Sequence, residues 1–460
     1  MERADLGQEA APHGKPATAA DRAVSVAARP EGLAALVAAR RVLASLGLAA
    51  LLASGAAEAA PPQDPALEHA LRILQKSPVI DGHNDLPWAI RENEKAPKDV
   101  AAYDLRARTS GHTDLPRLRE GHVGGQFWSV YVPGEKSAES YTRQQLEQID
   151  IARRLIERYP DRLAFAETAA DVRRALQSGK IASLLGMEGG HVLENSLGAL
   201  RAYYDLGARY LTLTHNVTLD WADAANDEPR HGGLTRFGEE VVREMNRLGM
   251  LVDLSHVSPE VMEDALRVSE APVLFSHSSC RALCDVPRNV PDDVLTQLSK
   301  NGGLVMITFV PGFVSQEVAD ARKQARKHLK VLTSGITDPQ EKARIEKEWN
   351  AKNPPPKVPL GVVADHVEHA LRVAGADHIG LGGDFDGTDA LPEGLEDVSG
   401  YPRLFAELVR RGWSDADLQK LAQGNVLRVL ERAEQVAKRL QAERPPTTAT
   451  IESLDGPTKQ

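Results

Sequence analysis

From residue 65 to about residue 437 the chain repeats one pattern, an apolar run of strand length followed by a segment whose apolar residues recur at helical spacing. The strand-like runs are 79–81, 125–132, 181–187, 210–214, 250–254, 273–276, 303–309 and 379–383, and helical periodicity fills 141–159, 169–176, 197–206, 237–248, 259–268, 291–298 and 362–373. Runs apolar at nearly every position belong to strands buried on both faces, and their alternation with helices implies an α/β fold with a parallel sheet. Eight such units favour a closed (β/α)8 TIM-type barrel over an open doubly wound sheet. No G-x-G-x-x-G turn follows the first run to support a dinucleotide site. At 460 residues the chain fits one barrel with additions.

The additions lie at the ends and in one insertion. Residues 1–39 are rich in Ala, Arg, Gly and Pro without an amphipathic period and read as disordered or processed. Arg40 and Arg41 then precede the apolar run 42–53 and the small-residue stretch 54–61, the layout of a secretory signal peptide, so 1–60 is expected to be leader and the protein exported to a periplasm or medium. The run is short for a membrane span, and the paired arginines leave the general secretory and twin-arginine routes both open. No cysteine follows it to carry a lipid. Residues 316–358, Lys- and Glu-rich and ending in Pro354-Pro355-Pro356, form a charged helical insertion between the seventh and eighth barrel strands, either an excursion over the barrel mouth or a solvated decoration. A closing helix is expected over 415–440, and the polar tail 441–460 is expected to be disordered. Cys280 and Cys284 cannot make a disulfide framework and read as buried thiols near a helix start. A net charge of −10 with no basic, aromatic-interleaved stretch argues against a nucleic-acid partner.

In a parallel barrel, chemistry sits where strands end. The first run ends in Asp81-Gly82-His83-Asn84-Asp85, where Gly82 is expected to turn the chain sharply as the strand stops. The two-residue spacing of His83 and Asp85 suits either a polar strand end or a shared grip on one cation. The third run delivers Glu188, the fourth His215, the fifth His256, the sixth His277 and the eighth Asp384. Four of only 14 histidines thus fall at the carboxyl ends of apolar strands, which scattered surface placement does not explain. A set of His, Asp and Glu without Cys suits zinc, manganese or cobalt, and it exceeds the needs of one tetrahedral ion. Two metals are implied. Glu188 could bridge them, with the pair about 4 Å apart ionising a water between them.

These strand-end motifs, together with Gly124-Gly125-Gln126-Phe127-Trp128-Ser129-Val130-Tyr131, Arg288-Asn289-Val290-Pro291-Asp292-Asp293 and Glu393-Gly394-Leu395-Glu396-Asp397, make residues 66–438 resemble the membrane (renal) dipeptidase family, dinuclear zinc dipeptidases among the amidohydrolase-like barrels. The resemblance implies two Zn2+ per chain, His83 and Asp85 on one, His256 and His277 on the other, with Glu188 and a water or hydroxide bridging them. It implies that the hydroxide attacks the peptide carbonyl and that His215 stabilises the oxyanion. Arg288 would pair with the free carboxylate of the dipeptide, and Asp384 would carry the proton from the attacking water to the leaving amine. The implied substrates are L,L and perhaps L,D dipeptides. The stabilising cysteines and carboxyl-terminal lipid-anchor signal of the animal enzymes have no counterpart here, so neither a disulfide-linked dimer nor a stable membrane anchor is expected, though a homodimer is compatible. The insertion 316–358 has no equivalent in them either, which leaves substrate access and preference open. Two alternatives stand beside this reading: an amidase, β-lactam or N-acyl amino acid hydrolase on the same metal platform, and a non-catalytic binding paralogue. Five converging ligands speak against the second.

Overall fold

The computed structural model describes residues 64–135 and 140–457, so the leader and the signal peptide lie outside the described residues. Nine strands form one wholly parallel sheet: β1 (Val79–Asn84), β2 (Val123–Ser129), β3 (Leu163–Phe165), β4 (Ile181–Glu188), β5 (Ala208–Thr212), β6 (Leu251–Asp253), β7 (Leu274–Ser278), β8 (Leu304–Ile307) and β9 (Ile379–Leu381). Pairing of β2 with β4, and of β9 with β1, closes eight of them into a ring in the order β1-β2-β4-β5-β6-β7-β8-β9. The expected barrel is therefore present. The ninth strand, β3, was not legible as a strand, because Leu-Ala-Phe is too short to show a period. It pairs with Ile181–Ser183 on the edge of β4 that β5 occupies further along, from Leu185 to Glu188.

The helices follow from local chemistry. Ser140, Thr168, Ser196, Thr235 and Ser258 each cap a helix start by accepting a backbone N–H, Thr168 in a reciprocal box with Asp171. Gly249 and Gly302 end two helices in the left-handed conformation. Each barrel helix lays an apolar stripe on the strands, and the strands themselves are buried on both faces, so the barrel is a packed core with its chemistry confined to its ends.

Gly82 has a different role from the one expected. It lies inside β1 rather than at a turn, and a Cβ there would come within 2.5 Å of both Ser276 O and Met306 Sδ. The small residue is needed because strands crowd across the barrel interior.

The insertion forms two helices, Gln316–Leu332 and Pro339–Lys352, before the barrel helix Leu360–Ala374 resumes the alternation. The first buries only Val318 and Ala319, and the second buries nothing, so the pair projects from the loop after β8. Gln316 accepts from Asp285 N at 2.7 Å, and Arg322 packs against Gly312, beside the Phe313 that stacks on Arg288. The expected closing helix runs without a break over Asp415–Gln419, a π bulge at Lys420–Gly424 and Asn425–Glu443.

The carboxyl-terminal tail departs from the expected disorder. A short helix, Ile451–Asp455, is capped by Thr450, buries Ile451, and Asp455 accepts the free backbone N–H groups of Arg236 and Phe237 at the start of the helix Arg236–Leu248. A polar composition concealed this, because the tail is held by capping and one apolar anchor rather than by a periodic face. Among the described residues no helix is long and apolar enough to cross a membrane.

Candidate metal centre

The carboxyl ends of the barrel strands bring all eight singled-out residues to one mouth. His83 lies within β1 and Asp85 just past it, at the start of the short helix Leu86–Arg91. Asp85 makes no capping bond there, which leaves its carboxylate facing inward. Glu188 ends β4, His277 lies within β7, and His215, His256 and Asp384 follow β5, β6 and β9. His256 and Asp384 hold left-handed backbone, φ 69° and 60°, a conformation non-glycine residues keep only where their surroundings impose it.

Glu188 is the hinge of the arrangement. Its Oε1 lies 2.9 Å from His256 Nε2, 3.3 Å from His277 Nε2 and 4.0 Å from His215 Nε2, and its Oε2 faces His83 Nε2 at 3.5 Å. His83 Nε2 is also 3.2 Å from Asp85 Oδ2 and 3.9 Å from Asp384 Oδ1. One carboxylate thus addresses two groups of ligands with its two oxygens. Ligand atoms of His83, Glu188 and His277, of Glu188, His215 and His256, and of His83, Asp85 and Asp384 each lie within 4.8 Å of one another. His83 and Asp85 are neighbours on the Oε2 side of Glu188, and His256 and His277 lie together on its Oε1 side. His83 stands near His277 as well as Asp85, with ring centroids 3.9 Å apart.

The residues fit divalent cations. His83 Nε2 and Asp85 Oδ1 are buried with no hydrogen-bond partner, and the Nε2 atoms of His256 and His277 face each other at 3.0 Å. Buried polar groups are normally paired, and unpaired imidazole and carboxylate atoms converging on a common space are what a cation site requires. Their electrostatics agree. Burial and the neighbouring Arg288, with His215 beside His256 and His83 beside His277, hold both imidazoles well below the usual histidine range. They present neutral nitrogens. Burial opposes a charge on His83, but Tyr210, Asp85 and Glu188 outweigh it and raise it well above that range. Burial likewise disfavours the Glu188 carboxylate, yet the neighbouring imidazoles of His83, His256 and His277 hold it well below its usual value. Asp384 moves the other way: burial, reinforced by Asp85 and Glu188, pushes it up to about 7.

Behind the ligands stand residues that the sequence did not single out. Asp81, fully buried in β1, accepts hydrogen bonds from His83 N (2.9 Å), the Gln126 amide (2.6 Å), Gly383 N (2.7 Å) and the Tyr401 hydroxyl, tying β1, β2 and the segment after β9 together under His83. Asp253, at the end of β6, accepts from Thr212 Oγ1 (2.5 Å), Ser276 Oγ (2.6 Å), Ser276 N (2.8 Å) and Ser255 N (3.2 Å). Ser276 Oγ in turn meets His277 Nδ1 at 2.8 Å, and Tyr210 Oη meets His83 Nδ1 at 2.9 Å. Occupying each Nδ1 from behind aims each Nε2 at the site. The available signal was an aspartate inside an otherwise apolar run, in Val79-Ile80-Asp81 and Leu251-Val252-Asp253. Asp81→Asn would turn an amide N–H₂ toward groups that already donate. We expect it to lower metal affinity about 10- to 100-fold and stability by about 2–3 kcal/mol, measured by metal titration and urea unfolding. Unchanged affinity would remove Asp81 from any role beyond the core.

Arg288 lies on the loop after β7, with its guanidinium buried. It makes two long contacts, 3.4 Å to Ser278 Oγ and 3.4 Å to His277 O, stacks on Phe313 at 5.1 Å, and leaves Nε unpaired. Burial lowers it to about 10. His215 is held between Tyr131 and His256, ring centroids 4.8 Å and 4.3 Å away, and burial keeps it neutral. Cys280 and Cys284 are fully buried and free, and burial pushes their thiols up to about 12 and about 11.

The sequence profile of membrane dipeptidases, peptidase family M19, matches residues 67–444. The chain belongs to the membrane dipeptidase family. As a member it is a metal-dependent dipeptidase, and the cluster of His, Asp and Glu at the barrel mouth supplies residues able to hold the metal. Among solved structures it resembles the probable dipeptidase PvdM from Pseudomonas aeruginosa, at 23% identity and a TM-score of 0.71 over 81% of this chain and 99% of that one. That likeness concerns the fold. It also resembles a metallopeptidase from Rhodobacter sphaeroides bound to a phosphinate mimic of L-Ala-D-Ala, at 27% identity and a TM-score of 0.64 over 78% of this chain and 99% of that one. A third match, dipeptidase AC, is 27% identical with a TM-score of 0.63, covering 78% of this chain and 98% of its own.

Proposed function

We propose that this membrane dipeptidase family member hydrolyses L,L dipeptides, and L,D dipeptides as well, using two zinc ions held by His83, Asp85, Glu188, His256 and His277. The observation that carries the reading is Glu188, whose two oxygens face different groups of ligands. Imidazoles and carboxylates without thiolate suit zinc, and two such ions would polarise the scissile carbonyl and ionise water at neutral pH. The L,D arm takes support from the Rhodobacter sphaeroides relative, whose ligand mimics L-Ala-D-Ala.

The chain's own groups divide the remaining work. Arg288, buried and short of partners, would receive the free carboxylate of the dipeptide through its planar fork, which fixes the distance from substrate terminus to reacting carbonyl and makes longer peptides poor substrates. His215, neutral and gripped between two rings, would donate its N–H to the carbonyl oxygen as negative charge develops there. Asp384, whose Oδ1 lies 3.9 Å from His83 Nε2 at the edge of the ligand cluster, would take a proton from the attacking water and return it to the leaving amine. Export rests on the signal-like stretch 40–61. Any dimer would be free of intermolecular disulfides, because both cysteines are buried.

An N-acyl amino acid hydrolase would also present a carboxylate to Arg288, so the amino end of the substrate has to discriminate. Purified protein should contain two zinc ions and cleave L,L and L,D dipeptides in preference to tripeptides and N-acetylated dipeptides. Chelation should abolish the activity and zinc restore it. Chelator-insensitive cleavage would overturn the mechanism, and preference for N-acetylated substrates would replace the dipeptide assignment.

A further inference from the structure

At the opposite end of the barrel a cavity of about 400 Å³ opens between the starts of β1, β2 and β4. Its floor is apolar, made by Leu115, Val123, Leu176 and Ile181 with Pro78. Its rim is basic. Arg106, Arg119, Arg162 and Lys180 all line it, and the nearby carboxylate, Asp161, is taken by Arg106 at 2.7 Å and Arg162 at 3.5 Å. The side chains of Arg119 and Lys180 have no hydrogen-bond or ion-pair partner among the described residues, and the half-buried imidazole of His122, which also lines the cavity, has none either. Unpaired cations over an apolar floor stand out in a chain of net charge −10.

We propose that this cavity is a second binding site, for a small amphipathic anion whose apolar body enters between Leu115, Leu176 and Ile181 and whose phosphate or carboxylate head is held by Arg119 and Lys180. A pocket of this volume with an apolar lining and a few convergent polar groups is the form small-molecule sites take. It is separate from the metal centre. Ile181 in the cavity and Glu188 in the site are the two ends of β4, about 20 Å apart at strand rise. A ligand here would leave the catalytic mouth open and could reach it only through the strand itself.

The test uses octyl phosphate, below its micellar concentration, and the neutral control octanol, each titrated calorimetrically into the full chain. One saturable site for octyl phosphate is expected, bound at least tenfold more tightly than octanol. Arg119→Glu with Lys180→Glu should weaken it at least tenfold while leaving dipeptide kcat/KM and the thermal midpoint unchanged. Leu176→Trp, which fills the cavity without altering charge, should also abolish binding. Arg288→Ala should leave it unaffected. The same titration against phosphatidylglycerol vesicles distinguishes a lipid headgroup, which would bind vesicles, from a free ligand, which would not. Equal binding of octanol, full affinity in the double variant, or loss in Arg288→Ala would each overturn the proposal, the last by relocating the anion to the catalytic end. None of these readouts depends on which peptide the metal centre cleaves.

Discussion

Glu188→Gln should lower kcat for dipeptide hydrolysis on the order of 10⁴-fold, the scale of several kcal/mol of lost transition-state stabilisation, and, on the two-zinc proposal, should strip both ions from the barrel mouth. The substitution keeps the shape of the side chain and removes its charge. It also replaces one oxygen by an N–H₂ group, which has no lone pair for a cation and must face either His83 or the His256–His277 pair. Whichever way the amide turns, one half of the centre loses a ligand and the other loses a negative charge. His83→Ala makes the informative comparison, because it removes a ligand from one side only. That variant should lose one metal and nearly all activity while the barrel stays folded. Metal analysis beside kcat separates the two cases, and a Glu188→Gln protein that retains two ions would show that the carboxylate does not bridge.

Arg288→Ala should raise KM for dipeptides steeply and lower kcat/KM by about 10²- to 10³-fold, since removing one partner of a buried, hydrogen-bonded charge pair costs about 2–5 kcal/mol. The free protein already displays the reason. A guanidinium that is 2% exposed, with two contacts at 3.4 Å and an unpaired Nε, is a buried charge with donors free for an anionic group. For the same reason the substitution should not destabilise the fold, and unfolding in urea should show an equal or slightly more stable protein. Arg288→Lys should recover only part of the loss, because an ammonium cannot present two parallel donors. An unchanged KM in Arg288→Ala would sink the assignment of a carboxylate-bearing substrate.

The barrel and its ligands were legible in the sequence for one physical reason. Strands buried on both faces are apolar throughout, so an ionisable residue at their carboxyl end stands out. His83, Glu188, His215, His256, His277 and Asp384 were all visible this way, and the structure brings them to one mouth. What hides is polarity inside a strand. Asp81 and Asp253 read as the ends of apolar runs, and only three-dimensional pairing with Gln126, Gly383 and Tyr401, or with Thr212 and Ser276, reveals them as cross-strand ties. Neighbours across the barrel interior were hidden for a related reason. Chain order places His83 beside Asp85, but barrel closure also carries His277 to it from across the interior. The tail helix Ile451–Asp455 escaped because its anchors are backbone N–H groups, which no side-chain pattern announces.

The unpaired imidazole and carboxylate atoms at the mouth also bear on folding. A cation that pairs with these buried polar atoms binds the closed ring but not the open chain. The proposed ligands lie in or just after β1, β4, β6 and β7, so no short peptide segment can reproduce the grip. Mass action then adds about 2.7 kcal/mol of stability at a hundredfold excess of free ion over its dissociation constant. The melting temperature should therefore rise with free metal activity in the buffer until other parts of the molecule become limiting. Stability of this protein is in that sense a shared property of the chain and its ionic surroundings.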